Sequence, residues 1–464
     1  MLKQLTRYYP IAVMVLWAVG CFIFFQWWYP YHFFYQEQNQ LFLLSQDYIA
    51  TYFETSGAMA WLIGDFLTQF YYYLYTGTAI LSICLLLVGI LFFRALRNFH
   101  ANKSLALVAA LLIMGFLSVC HFSSSYRLGS TISIMGWVLM LWCISLLQGR
   151  KKRIIATAVA LLPTYLLFGL PVINKLKAPD FILEKDFAVD NEYYFGNTQK
   201  VIDIVKASPY KTDAMLFFYN LVWAQRGELP DHLLDFTPNY LGTFEKVGPE
   251  TPRLTIINMN ELYWALGDMT FTERAAMMAS VFAPNNRNVR MIKRLAECNI
   301  VSGDTAAAGK YLRILDKTLV YRKWSAKANQ NPLYASKAAF VNHHDTITVS
   351  DNAHFLMMQL LDAHPDNMVA IDYILCSTLL LKDIENFKRD YDRYCTKHPR
   401  VKKLYQEALC VWLAGINAPQ EEWERYIKSR EVLQRFQQYS QRRGDSAFCN
   451  TYWYYFDKIK VPKI

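Results

Sequence analysis

Five apolar stretches constrain this chain more than anything else in it. Residues 10–28, 76–93, 105–122, 129–147 and 154–173 contain no Asp, Glu, Lys or Arg. Each is long enough, as a helix, to cross a hydrocarbon layer ~30 Å thick. Trp27, Trp28, Tyr29 and Tyr31 sit at the end of the first stretch, where an interfacial aromatic belt belongs. The remaining ~290 residues have an ordinary soluble composition, so a mean hydropathy of only +0.09 averages two unlike halves. The sequence predicts an all-α protein. About five transmembrane helices occupy a domain over residues 1–177, and a water-soluble helical domain occupies 178–464.

The cations orient the predicted spans. Lys3 and Arg7 precede the first. Arg94, Arg97 and Lys103 lie between the second and third, and Arg150, Lys151, Lys152 and Arg153 between the fourth and fifth. Those three segments hold nine basic residues and no acids. The opposite segments hold only Arg127, together with Glu37, Asp47, Glu54 and Asp65. The positive-inside rule then places the N-terminus in the cytoplasm and residues 178–464 beyond the membrane. Lys175 and Lys177 are a small contrary signal. The second half is nearly balanced in charge and carries no electrostatic footprint for nucleic acid.

Residues 58–75 are almost long enough to span. Asp65, Thr68, Gln69 and Tyr72 recur on one helical face, with Met59, Leu62, Ile63, Phe66, Phe70 and Tyr73 around them. This pattern predicts an amphipathic helix that lies in the membrane plane or is re-entrant, since a further crossing would put Arg94, Arg97 and Lys103 outside. The first span is too long for a typical cleaved signal and is expected to be a retained signal-anchor. Cys21 is followed by membrane residues rather than a polar linker, against lipidation. No Asp, Glu, Lys or Arg lies at the middle of a span, which counts against a coupled transporter.

The second half reads as helical hairpins. NLVWAQRGEL turns at Gly227, ELYWALGDMT at Gly267–Asp268, ECNIVSGDTA at Gly303–Asp304 and STLLLKDIEN at Lys382–Asp383. Glycine ends one helix in a left-handed conformation and aspartate caps the next. The turn spacing suits a solenoid of two-helix units, of tetratricopeptide (TPR-like) type. The cysteines of this half, Cys298, Cys376, Cys395, Cys410 and Cys449, include no C-x-x-C pair. They read first as buried small residues, although an oxidising compartment would permit a disulfide.

Catalytic signatures are sparse. His343, His344, Asp345, Asp351 and His354 are the one cluster with metal-ligand chemistry, and they lie in loop-like sequence. Asp390 and Asp392 imitate a D-x-D motif, but on a helix their carboxylates diverge. No phosphate-binding loop, dinucleotide fingerprint, nucleophile elbow or zinc-protease helix is present, and no cofactor is expected. The polar segment 35–47, just outside the first span, reads either as a solvated connector whose Leu41, Phe42, Leu43 and Leu44 dip into lipid, or as a recognition element. Glu37, Gln38, Gln40, Asp47 and Asp65 form the candidate polar interfacial site.

Four stretches carry a family resemblance: EQNQLFLLSQDY (37–48), GAMAWLIGDFLTQFYYY (57–73), GELPD (227–231) and KRLAECNIVSGDTAAAGKYLRILDKTLVYRKW (293–324). They resemble an uncharacterised family of Bacteroidota integral membrane proteins that bears a domain-of-unknown-function label. The resemblance implies a bacterial inner membrane, a C-terminal tetratricopeptide-like periplasmic domain, and no catalytic residues to carry over. The expectation is a membrane-anchored scaffold that binds a partner protein or peptide. The competing expectation is an enzyme, or enzyme subunit, acting on lipid or lipid-linked glycan near Glu37, Asp47 and Asp65.

Overall fold

The computed structural model describes residues 2–54, 57–147, 149–164, 177–242, 250–283, 287–339, 341, 352–395 and 402–460. Among them every regular element is helical. Helix α1 runs Leu2–Trp27, α2 Tyr31–Gln38, α3 Gln46–Ala50, α4 Ala58–Thr68, α5 Thr76–Asn98, α6 Lys103–Cys120, α7 Leu128–Ser145, α8 Arg150–Thr164 and α9 Phe181–Tyr194. Four segments of the described chain are long and apolar enough to cross a membrane: Tyr8–Trp27, Thr76–Asn98, Lys103–Cys120 and Leu128–Ser145. Five were expected. The first part of the fifth stretch is α8, and its remainder lies outside the described residues.

The chain folds as two compact units. One comprises Met1–Phe187 together with Ala283–Ala296 and Ala306–Gln330. The other comprises Ala188–Phe282, Glu297–Thr305 and Asn331–Ile464.

In the first unit α5 is the central helix, packed against α1, α6 and α7. Leu81, Leu85 and Val88 of α5 join Phe25, Leu117, Leu128 and Val138 in its core. Leu16, Leu112 and Val108 are exposed, as lipid-facing side chains are. Helix α4 packs along α7 at a very close crossing. A Cβ on Gly64 would stand 2.4 Å from the Gly129 Cα, so only glycine fits there. With 11 residues α4 is ~16 Å long, about half of a span. Its polar face is turned into the protein rather than to water: Asp65 and Thr68 are buried, as is Gln69 in the 3-10 turn that follows, while Met59 and Ile63 are exposed.

The hairpin turns fall where the sequence placed them. Gly227, Gly267 and Gly303 have positive φ (73°, 82° and 78°), and Lys382 adopts the same region at 58°. Asp268 caps Met269–Val281 by accepting the Phe271 N–H at 3.0 Å, and Asp383 accepts that of Asn386 at 3.1 Å. In the second unit Asp213–Gln225 packs on Thr198–Ala207, and Met368–Leu380 packs on both Ala353–Ala363 and Ile384–Cys395. Asp213–Gln225 also meets Met368–Leu380, so hairpins distant in sequence share one core of Phe218, Val222, Ile374, Leu375 and Tyr405. Cys298, Cys376, Cys395 and Cys410 are buried, and Cys449 is exposed.

Candidate functional site

The polar connector after α2 is covered by protein over much of its length, although Leu44 stays exposed. It is held along two segments from the second half of the chain that belong to the same compact unit. Gln38 accepts a hydrogen bond from Arg290 Nη1 at 2.7 Å, and Asn39 accepts one from Asn288 Nδ2 at 3.1 Å. The Val289 N–H donates to the Gln40 carbonyl at 3.0 Å, and the Leu44 N–H to that of Lys317 at 2.7 Å. Leu41 packs with Val289, Ala296, Leu315 and Tyr321, and Leu43 with the same group. Arg287 lies over the Tyr48 ring at 4.4 Å and donates to its hydroxyl at 2.9 Å.

Asp65 is the second centre. Nη2 of Arg127 donates to both its carboxylate oxygens, at 2.7 and 2.5 Å, and Tyr52 donates to Oδ2 at 2.8 Å. The Asp65 side chain is 8% exposed and that of Arg127 35%. Gln40 joins this centre, its amide nitrogen donating to the Asp65 carbonyl at 3.1 Å. Arg127, isolated among acids in the sequence, is therefore paired with one of them.

Glu37 is 2% exposed and accepts the Tyr321 hydroxyl at 3.1 Å. Burial raises its pKa to about 8, with the Tyr321 bond and the Lys293 charge pulling the other way. Beside it lies a half-open hollow bounded by Gln40, Phe42, Gln69, Val289, Thr318, Val320 and Tyr321, whose enclosed part is about 10 Å³, room for about one water. Gln69 forms part of this wall. It is 5% exposed, and neither its amide nitrogen nor its amide oxygen has a hydrogen-bond partner. An unmet buried polar group of this kind costs ~1–3 kcal/mol.

A further carboxylate stands at the start of α2, where Pro30 provides no side-chain cap. Glu184 of α9 accepts the N–H groups of Tyr31 and His32 at 2.5 and 3.2 Å. Burial holds the Glu184 carboxyl well above its usual range and lowers His32 to about 3, so the imidazole is neutral.

The structure thus brings Glu37, Gln38, Gln40 and Asp65 together and leaves Asp47 exposed in the first turn of α3. Their partners Arg127, Arg290, Asn288, Tyr52 and Tyr321 were missed by sequence reasoning. The signal available for Arg127 was its isolation among acids. Of the histidine cluster, His343, His344, Asp345 and Asp351 lie outside the described residues, and His354 Nε2 contacts Asp390 at 2.5 Å. Asp392 instead pairs with Lys388 and accepts from Tyr426 at 3.1 Å, so the D-x-D carboxylates face different partners. Among the described residues no group of three or more His, Cys, Asp or Glu could hold a metal ion.

An apolar helix bundle with a locked polar cap, joined in one chain to a unit of helical hairpins, defines an all-helical protein with a candidate membrane-spanning half. The chain belongs to a family of unknown function, DUF6057, whose profile matches residues 7–177 and 172–459. No curated protein and no solved structure matches it.

Proposed function

We propose that the protein is a scaffold of the bacterial envelope. Its bundle lies in the inner membrane with the N-terminus cytoplasmic. Its TPR-like hairpin unit stands in the periplasm and holds a partner protein or peptide. Nine cations in three alternating segments, against the single Arg127 in the two segments between them, support that orientation. The observation that carries the reading is how the polar groups at the outer mouth are spent. Gln38 is engaged by Arg290, Asp65 by Arg127 and Glu37 by Tyr321, beside a hollow with room for about one water. Such an arrangement favours holding over turnover. The step from helical hairpins to partner binding is a fold-level analogy.

Two measurements test the proposal. Cys449 is exposed, so a membrane-impermeant maleimide should label it in spheroplasts without lysis. Labelling only after lysis overturns the orientation. A photo-crosslinking residue at the exposed positions Met277, Val281 or Ile416 should give a discrete protein adduct in intact cells. No adduct from any of them overturns the scaffold role.

A further inference from the structure

We infer that the hollow beside Gln69 is a recognition site for a saccharide, which inserts one hydroxyl-bearing edge between Gln69 and Glu37. The inference is independent of the scaffold reading. Gln69 is buried, and its amide lacks both a donor partner and an acceptor partner. A group that satisfies it must therefore both accept and donate, as a hydroxyl does and a metal cation does not. Glu37 lines the same hollow; one of its oxygens accepts the Tyr321 hydroxyl, and burial favours the protonated carboxyl, which keeps a donor besides. Gln40, whose amide nitrogen is spent on the Asp65 carbonyl, presents its carbonyl oxygen.

The walls exclude the commoner anionic ligands. None of the residues that bound the hollow is a lysine or arginine, so a phosphate would find no cation in its walls, where the Lys293 charge is felt only through its field at Glu37. The enclosed room is that of a single hydroxyl, so the site reads an edge and leaves the rest of the ring outside.

Position suits a sugar presented at a membrane. Glu37 closely follows the candidate span Tyr8–Trp27, and Gln69 closely precedes Thr76–Asn98. The same chemistry could come from a free glycan or from a glycolipid headgroup. The test separates the two.

The full-length protein is purified in a polyoxyethylene detergent, so that no sugar detergent competes. Free methyl β-glucoside is followed by saturation-transfer NMR. Phosphatidylethanolamine nanodiscs with or without glucosyl diacylglycerol are compared by thermal stability. Binding of the free glycoside supports the inference with a soluble source, and stabilisation by the glycolipid alone supports it with a lipid source. Q69L removes the amide while retaining a folded wall, and should weaken either response roughly tenfold or more. E37Q, which keeps a donor and an acceptor, should change it by less than about threefold. Three results overturn the inference: no response of the wild type to either probe, equal responses of wild type and Q69L, or an ordered water only at Gln69 in an experimental map with the glycoside present.

Discussion

Replacing Asp65 by asparagine keeps the shape of the side chain and an acceptor for Tyr52, and removes only the charge that Arg127 faces. At ~4 Å between charge centres and an effective dielectric near 20, the pair attracts by ~4 kcal/mol. Arg127 is about a third exposed, so solvent screens part of this. A net coupling of ~1.5–3 kcal/mol remains. For a unit of this size a loss of 2 kcal/mol lowers the melting temperature by roughly 4–8 °C. The measurement is a double-mutant cycle of D65N, R127Q and the double variant, read by thermal unfolding in detergent. Each single variant leaves a half-pair behind, and the double variant should lose clearly less than their sum. Additivity within ~0.5 kcal/mol would refute the buried pair and reduce it to a surface contact.

Three further outcomes follow from the same geometry. G64A places a methyl group 2.4 Å from the Gly129 Cα, forcing α4 and α7 apart, and should cost ~1–3 kcal/mol. An unchanged melting temperature would show that the helices cross more loosely. Glu37 keeps its proton up to about pH 8 when folded, whereas its ordinary value is 4.5. Its contribution to stability is therefore fully present below pH 4.5 and is lost as pH rises through about 8. A pH series should show E37Q with a shallower decline than wild type across that window, and parallel curves would contradict the burial of Glu37. D268A removes the cap on the Phe271 N–H and should lower the stability of the second unit by ~1 kcal/mol in a denaturant titration. A midpoint identical to wild type would mean the cap is dispensable.

What the sequence made legible was whatever local chemistry decides. The hairpin turns at Gly267–Asp268 and Lys382–Asp383 depend on one backbone conformation and one cap. The candidate spans depend on long apolar runs. The polar cap was legible only in part. Glu37, Gln38, Gln40 and Asp65 stood out as polar residues beside a membrane, but their partners lie up to 284 residues away, as Tyr321 does from Glu37. Leu41 looked lipid-bound for the same reason, because the surface that covers it comes from Val289 and Tyr321. For helix α4 the sequence showed two unlike faces but not what each one meets. An amphipathic pattern shows that two faces differ, and not that the polar one meets water. Here Asp65 finds Arg127, which repeats no pattern that periodicity can detect.

The docking of the connector also orders events during synthesis. Asn39 takes its hydrogen bond from a residue 249 positions later. At ~5–20 residues per second, the ribosome needs roughly 12–50 s to deliver that partner after Asn39 is made. Throughout that interval Leu41 and Leu43 lack the surface of Val289, Leu315 and Tyr321 that covers them in the finished fold. A newborn chain therefore presents, beside its first long apolar helix, a sticky amphiphilic loop that must be shielded until its second half arrives.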